Sequence, residues 1–295
     1  MSATGPLIDV IAGARPNFMK IAPILRAIRA RQAAGSRLRV RLVHTGQHYD
    51  ERMSGDFFRQ LGIPDPDVNL EVGSGTQAEQ TAAIMVRYEQ LLLTARSDLC
   101  LVVGDVTSTM ACAIAAQKLR VPVAHVEGGI RSGDWGMPEE INRLVTDAIT
   151  NWFFTTSDVA NDNLRKAGVG DERIFFVGNT MIDTLLANQA QFRPPAFWAE
   201  AGLQQGQALG AELAGHAHHH VGAQDVAQRD GVEGLERHDA REARDQLGQE
   251  AVGLEVGDAL DLLVGEVDRD RVGIDRGGRR AAEAEAAAVA APPGH

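Results

Sequence analysis

Three acids in this chain stand directly behind apolar runs or open a helical pattern. Asp105 follows LCLVVG, Glu127 follows VPVAHV, and Glu139 lies in Pro138-Glu139-Glu140 at the head of an amphipathic segment. Clustered carboxylates push one another's pKa values apart, so one can act as acid while another acts as base. Proton abstraction from carbon needs that pairing, and groups of this kind typically contribute about 10²–10⁴-fold each. Taken singly, each acid also has an ordinary structural reading. An Asp before a helix is a common N-cap. Glu127 before Gly128-Gly129 reads equally as a turn residue or a partner of Arg131. Acids in a first helical turn are favoured by the helix dipole.

A second chemistry is signalled near the start, in Gly13-Ala14-Arg15-Pro16 with Lys20 a turn further on. A glycine turn feeding a helix offers free N–H groups, and Arg15 and Lys20 add cations, which together make an anion site for a phosphate or diphosphate. The same residues also read as a turn glycine with two solvated cations. The pattern is not GxGxxG, so a dinucleotide fingerprint is not supported. Thr45-Gly46-Gln47-His48-Tyr49 places a lone His in a loop, which by itself carries little functional weight.

The elements that must position these residues alternate. LIDVIAG, LRVRLVHTG, LCLVVG, VPVAHVEGG, WFFTTS and RIFFVG read as strands. Between and after them, PNFMKIAPILRAIRARQ, ERMSGDFFRQLG, TQAEQTAAIMVRYEQLLLTA, MACAIAAQKL, PEEINRLVTDAIT, SDVANDNLRKAG and NTMIDTLLANQ read as helices. About seven strands alternating with helices predict an α/β fold: a Rossmann-like, doubly wound parallel sheet. Ligands bind such sheets at the carboxyl ends of the strands. Asp105, Glu127 and Gly13 are all predicted there.

Composition narrows the classes. The chain has 295 residues, 44% of them hydrophobic, with a net charge of -11, so nothing in it would neutralise a run of nucleic-acid phosphates. Cys100 and Cys112 have no CxxC or metal-type spacing and read as buried reduced thiols. The first residues lack a basic n-region and a full apolar h-region, and no apolar run reaches membrane length, which makes the cytoplasm the expected location. Near residue 193 the composition changes abruptly. Beyond Trp198 there is no Phe, Tyr, Trp, Lys, Ser, Thr or Asn. The chain therefore divides into an ordered α/β domain over 1–192 and an atypical low-complexity tail over 193–295. The tail is open to three readings: a disordered charged appendage, an unusual Ala/Leu-rich helical domain, or the product of a shifted or antisense frame in a GC-rich gene. The last is favoured.

GARPNFMKIAPI, TGQHYDERM, VVGDVTSTMACAIAA, PVAHVEGGIRSGDWGMPEEINR, FFTTS and FFVGNTMIDTL, in that order from about residue 7 to 190, resemble the successive motifs of the non-hydrolysing UDP-N-acetylglucosamine 2-epimerases. HVEGGIRS followed by MPEEINR is the most specific part. The resemblance implies the N-terminal half of a glycosyltransferase-B-type architecture, with UDP-sugar bound between two Rossmann-like domains. It implies interconversion of UDP-N-acetylglucosamine and UDP-N-acetylmannosamine through a 2-acetamidoglucal intermediate, with no metal or redox cofactor and with assembly as a homodimer. Asp105, Glu127 and Glu139 would be its catalytic carboxylates, and Arg15 and Lys20 would contact the nucleotide or its diphosphate. A related UDP-diacetamido-uronate 2-epimerase shares these motifs, and a one-domain nucleotide-sugar-binding relic is the non-catalytic alternative. The family's second domain should carry Thr-x-His-Arg and a Ser-Gly-Gly loop. Neither is present after residue 193, and His216, His218, His219 and His220 stand in AGHAHHHVG without those neighbours. Half a cleft cannot exclude water or grip the UDP leaving group from both sides, so low turnover is expected of this particular chain.

Overall fold

The computed structural model describes residues 5–46, 58, 60–191 and 193. The expected tail beyond residue 193, with the four histidines of AGHAHHHVG, residues 47–50 and most of ERMSGDFFRQLG lie outside the described residues. Described residues up to Ala187 belong to one compact unit, and a second unit begins at Asn188.

The strands are β1 (Leu7–Ala12), β2 (Arg39–His44), β3 (Val68–Asn69), β4 (Leu99–Val103), β5 (Val123–Val126), β6 (Trp152–Thr155) and β7 (Ile174–Phe176). The helices are α1 (Arg15–Ala33), α2 (Gln77–Thr94), α3 (Thr107–Lys118), α4 (Pro138–Ile149), α5 (Asp158–Lys166) and α6 (Thr180–Asn188). All strand pairs are parallel, in the order β3-β2-β1-β4-β5-β6-β7. The doubly wound sheet expected from the alternation is therefore present. Strand β3 was not foreseen, because two residues are too short to show a period. The order reverses between β1 and β4, so a crevice opens beyond their carboxyl ends.

Continuous apolar strands follow from burial on both faces. Along β4, Leu99, Leu101 and Val103 join α1 residues such as Phe18, Ile21, Ile24 and Ile28 in one core layer. The alternate residues Cys100 and Val102 join Ile84, Tyr88 and Leu92 of α2 and the small residues of α3 in the other. The two-residue period of a strand produces this division. Ala111, Ala113, Ala115 and Ala116 are fully or almost fully buried, and their size lets α3 pack between α2 and α4.

Local chemistry sets the helix starts near the crevice. Asn17 Oδ1 accepts the Ala14 amide at 3.1 Å at the head of α1. Thr76 and Glu79 form a reciprocal capping box on α2, with the Thr76 amide donating to Glu79 Oε2 at 2.8 Å. Helix α4 starts at Pro138, whose missing N–H costs nothing at a first position, with Glu139 and Glu140 in its first turn. Ser157 caps α5 through the Ala160 amide, at 3.3 Å.

Candidate functional site

Glycines shape the floor of the crevice. A Cβ on Gly13, just after β1, would lie 1.8 Å from Ser108 Oγ, so only glycine lets α3 approach β1 this closely. Ser108 Oγ is buried there and has no hydrogen-bond partner among the described residues. Gly104, just after β4, has φ +68°, and a Cβ on it would sit 3.2 Å from Lys20 Nζ and 3.6 Å from Glu127 Oε2. The turn after β4 thus lies against both side chains.

Glu127 follows β5 at φ +69°, a left-handed conformation that costs a non-glycine residue energy. Its amide donates to the Phe154 carbonyl at 2.8 Å, which holds the turn against β6. The carboxylate is almost buried and is paired with Lys20 Nζ. Arg131, the partner in one of the two readings offered for Glu127, instead pairs with Asp147 at 2.6 Å. Helix α1 carries Lys20 one turn inside the crevice, whereas Arg131 lies beyond the Gly128-Gly129 turn and faces α4.

Asp105 departs from the N-cap reading. The cap of α3 is Val106, with no side-chain cap bond, and the Asp105 carboxylate is instead paired with Arg143 Nη2. The Asp105 carbonyl accepts from Asn142 Nδ2 at 2.8 Å. Helix α4 therefore grips Asp105 from two successive residues, although they lie 38 and 37 positions away in sequence.

Glu139 and its neighbour Glu140 differ sharply. Glu140 is buried, accepting from the Ser132 amide at 2.9 Å, the Ser132 hydroxyl at 3.0 Å, the Gly133 amide at 3.1 Å and Arg143 at 3.0 Å. Burial alone would raise its pKa, but these donors outweigh it and pull the carboxyl down to about 2. Glu139 is half-buried in the same first turn, and no hydrogen bond or ion pair to a described residue holds its carboxylate. Arg15 begins α1 as expected, but its side chain lies outside the described residues.

The structure therefore brings Lys20, Glu127, Gly104 and Asp105 to one end of the sheet. Arg143, Asn142 and Glu140 were not singled out in the sequence. The only signal for them was their place in PEEINR. The contacts of Asn142 and Arg143 with Asp105 span more than thirty residues and leave no local pattern, and those of Glu140 depend on how the Ser132–Gly133 loop folds back onto α4. Among the described residues no group of three His, Cys, Asp or Glu side chains could hold a metal ion. None of the described helices is long and apolar enough to cross a membrane.

Comparison with known proteins points one way. The family model for UDP-N-acetylglucosamine 2-epimerase matches residues 30–224, past the change in composition. A UDP-N-acetylglucosamine 2-epimerase of Methanocaldococcus jannaschii is 41% identical over 181 residues, 61% of this chain and 48% of that protein. A UDP-2,3-diacetamido-2,3-dideoxy-D-glucuronate 2-epimerase of Pseudomonas aeruginosa is 43% identical over 181 residues, 61% of this chain and 50% of the relative. The crystal structure of the M. jannaschii enzyme in complex with UDP-GlcNAc and UDP superposes with a TM-score of 0.59 at 40% identity, covering 63% of this chain and 50% of that one. The chain spans about half the length of the curated relatives it matches.

Proposed function

The chain belongs to the UDP-N-acetylglucosamine 2-epimerase family, and on that footing we propose that it carries the carboxylates with which such an enzyme interconverts UDP-N-acetylglucosamine and UDP-N-acetylmannosamine. One carboxylate removes the proton from C2 of the sugar. The C2–H electron pair becomes the C1=C2 double bond as the C1–O bond breaks, and that bond's electrons leave with UDP. UDP then adds back to C1 of the 2-acetamidoglucal while a proton is delivered to the other face of C2. Asp105, Glu127 and Glu139 are the groups for these transfers, and Arg15 and Lys20 the cations for the nucleotide diphosphate.

One observation carries the reading. Glu127 is held at a strained positive φ beside Lys20 and next to the Gly104–Asp105 turn, and strain of that kind is kept where function needs it. Incubation of the full chain with UDP-N-acetylglucosamine in heavy water tests it. UDP-N-acetylmannosamine bearing deuterium at C2 is expected, and recovery of the substrate without exchange at C2 refutes it.

The P. aeruginosa relative supports a second reading, a UDP-diacetamido-uronate as substrate, which the same assay distinguishes by substrate profile. Binding of UDP-N-acetylglucosamine without turnover would fit the one-domain binding relic. We further expect a homodimer where the full family fold is made, measurable by light scattering, and a cytoplasmic location. For residues 193–295 the shifted-frame reading is tested by resequencing across codons 185–225. It fails if no frame there encodes Thr-x-His-Arg and Ser-Gly-Gly.

A further inference from the structure

A buried polar network lies directly behind the site and takes no part in the chemistry above. His125 is 1% exposed in the middle of β5. Its Nε2 is 2.8 Å from the Gly104 carbonyl, and its Nδ1 is 2.7 Å from Asp147 Oδ1. Asp147, near the end of α4, accepts on its other oxygen from the Gly129 amide at 3.0 Å and from Arg131 at 2.6 Å. A carbonyl can only accept, so Nε2 must donate. Arg131 and the Gly129 amide hold Asp147 as a carboxylate, so Nδ1 must donate as well. A ring bearing both protons satisfies both contacts at once. Burial works to raise the Asp147 pKa, and the His125 ring and the Arg131 guanidinium hold it below the usual range.

The placement of these contacts matters more than their number. His125 is two residues before Glu127, and the carbonyl it holds is one residue before Asp105. Asp147 fixes the Gly128-Gly129 turn that follows Glu127. It rides on the helix whose first turn carries Glu139 and whose Asn142 and Arg143 grip Asp105. Eight residues of helix, about 12 Å, separate Glu139 from Asp147. A single rigid rod therefore registers all three carboxylates, and its far end is anchored by the His125 ring.

We propose that His125 and Asp147 are positioning residues, a buried imidazolium–carboxylate pair that fixes the turns after β4 and β5 and so sets the relative geometry of Asp105, Glu127 and Glu139. The proposal rests on the epimerase reading for its kinetic consequence and on geometry alone for its spectroscopic one. Neither side chain reaches the crevice as an acid or base. Loss of the pair misplaces reacting groups without removing one.

The test uses the full chain and three variants, His125→Gln, His125→Leu and Asp147→Asn. Long-range ¹H–¹⁵N spectra at neutral pH are expected to show both His125 nitrogens protonated, with this signature lost in Asp147→Asn. With UDP-N-acetylglucosamine, His125→Leu and Asp147→Asn are expected to lower kcat about 10–100-fold, the scale of a small misplacement, with KM within about twofold. His125→Gln, which keeps one N–H for the Gly104 carbonyl, should recover part of the loss. A singly protonated ring in the wild-type chain overturns the proposal, as does unchanged kcat in Asp147→Asn with native secondary structure. If the wild-type chain turns over no UDP-sugar, the functional reading fails, and the nitrogen spectra alone decide the pairing.

Discussion

The two adjacent glutamates at the head of α4 provide a test of structure against function within one dipeptide. Glu140 is held by four donors and titrates at about 2 when folded, against an ordinary value of 4.5. That difference corresponds to about 3 kcal/mol of stability at neutral pH, an upper value that solvent screening near the surface reduces to about 1.5–3 kcal/mol. Because the folded pKa is depressed, the contribution is full above the unfolded value. It is lost as pH falls from about 5 toward about 2. In Glu140→Gln one amide face must meet a donor from Ser132 or Arg143, so the substitution should lower the unfolding free energy by about 2 kcal/mol near pH 7. Urea denaturation followed by circular dichroism measures this, repeated near pH 3, where the gap between wild type and variant should narrow. Glu139→Gln, lacking such partners, should change stability by less than about 0.5 kcal/mol while lowering turnover about 10²–10⁴-fold. The reasoning is refuted if Glu140→Gln is as stable as wild type near pH 7, or if the gap does not narrow on acidification.

Gly129→Ala should be severely destabilised, because Gly129 has φ +83° and a Cβ there would lie 2.4 Å from the Ala160 carbonyl oxygen; loss of soluble folded protein or a fall of more than about 3 kcal/mol in urea is expected. Asp9 is fully buried, with Arg41 donating to both carboxylate oxygens at 2.7 Å and Tyr88 donating to one at 2.9 Å. Asp9→Asn strands the guanidinium and should cost about 3–5 kcal/mol by the same assay. Cys100 and Cys112 are buried free thiols whose pKa values burial pushes up, so a thiol reagent should label neither in the native chain and both in denaturant.

The sequence by itself determined the alternation of strands and helices, the parallel sheet, and the end of it at which Asp105, Glu127 and Gly13 lie. Continuous apolar strands and periodic helices are local patterns, and Asp105, Glu127 and Gly13 follow strands directly. It could not determine that Glu127 pairs with Lys20 rather than Arg131, or that Asp105 answers to Arg143 rather than capping a helix. Nor could it separate Glu139 from Glu140, since both are first-turn acids by any local rule. The two ion pairs depend on which strands lie side by side at the reversal between β1 and β4 and on where α4 packs against them, and the difference between the glutamates on how the Ser132–Gly133 loop folds back onto α4. The strained φ of Glu127 and the His125–Asp147 pair likewise exist only because distant segments converge. Periodicity records which face of an element is buried. The partner a buried charge finds is fixed only when the tertiary structure brings the two segments together.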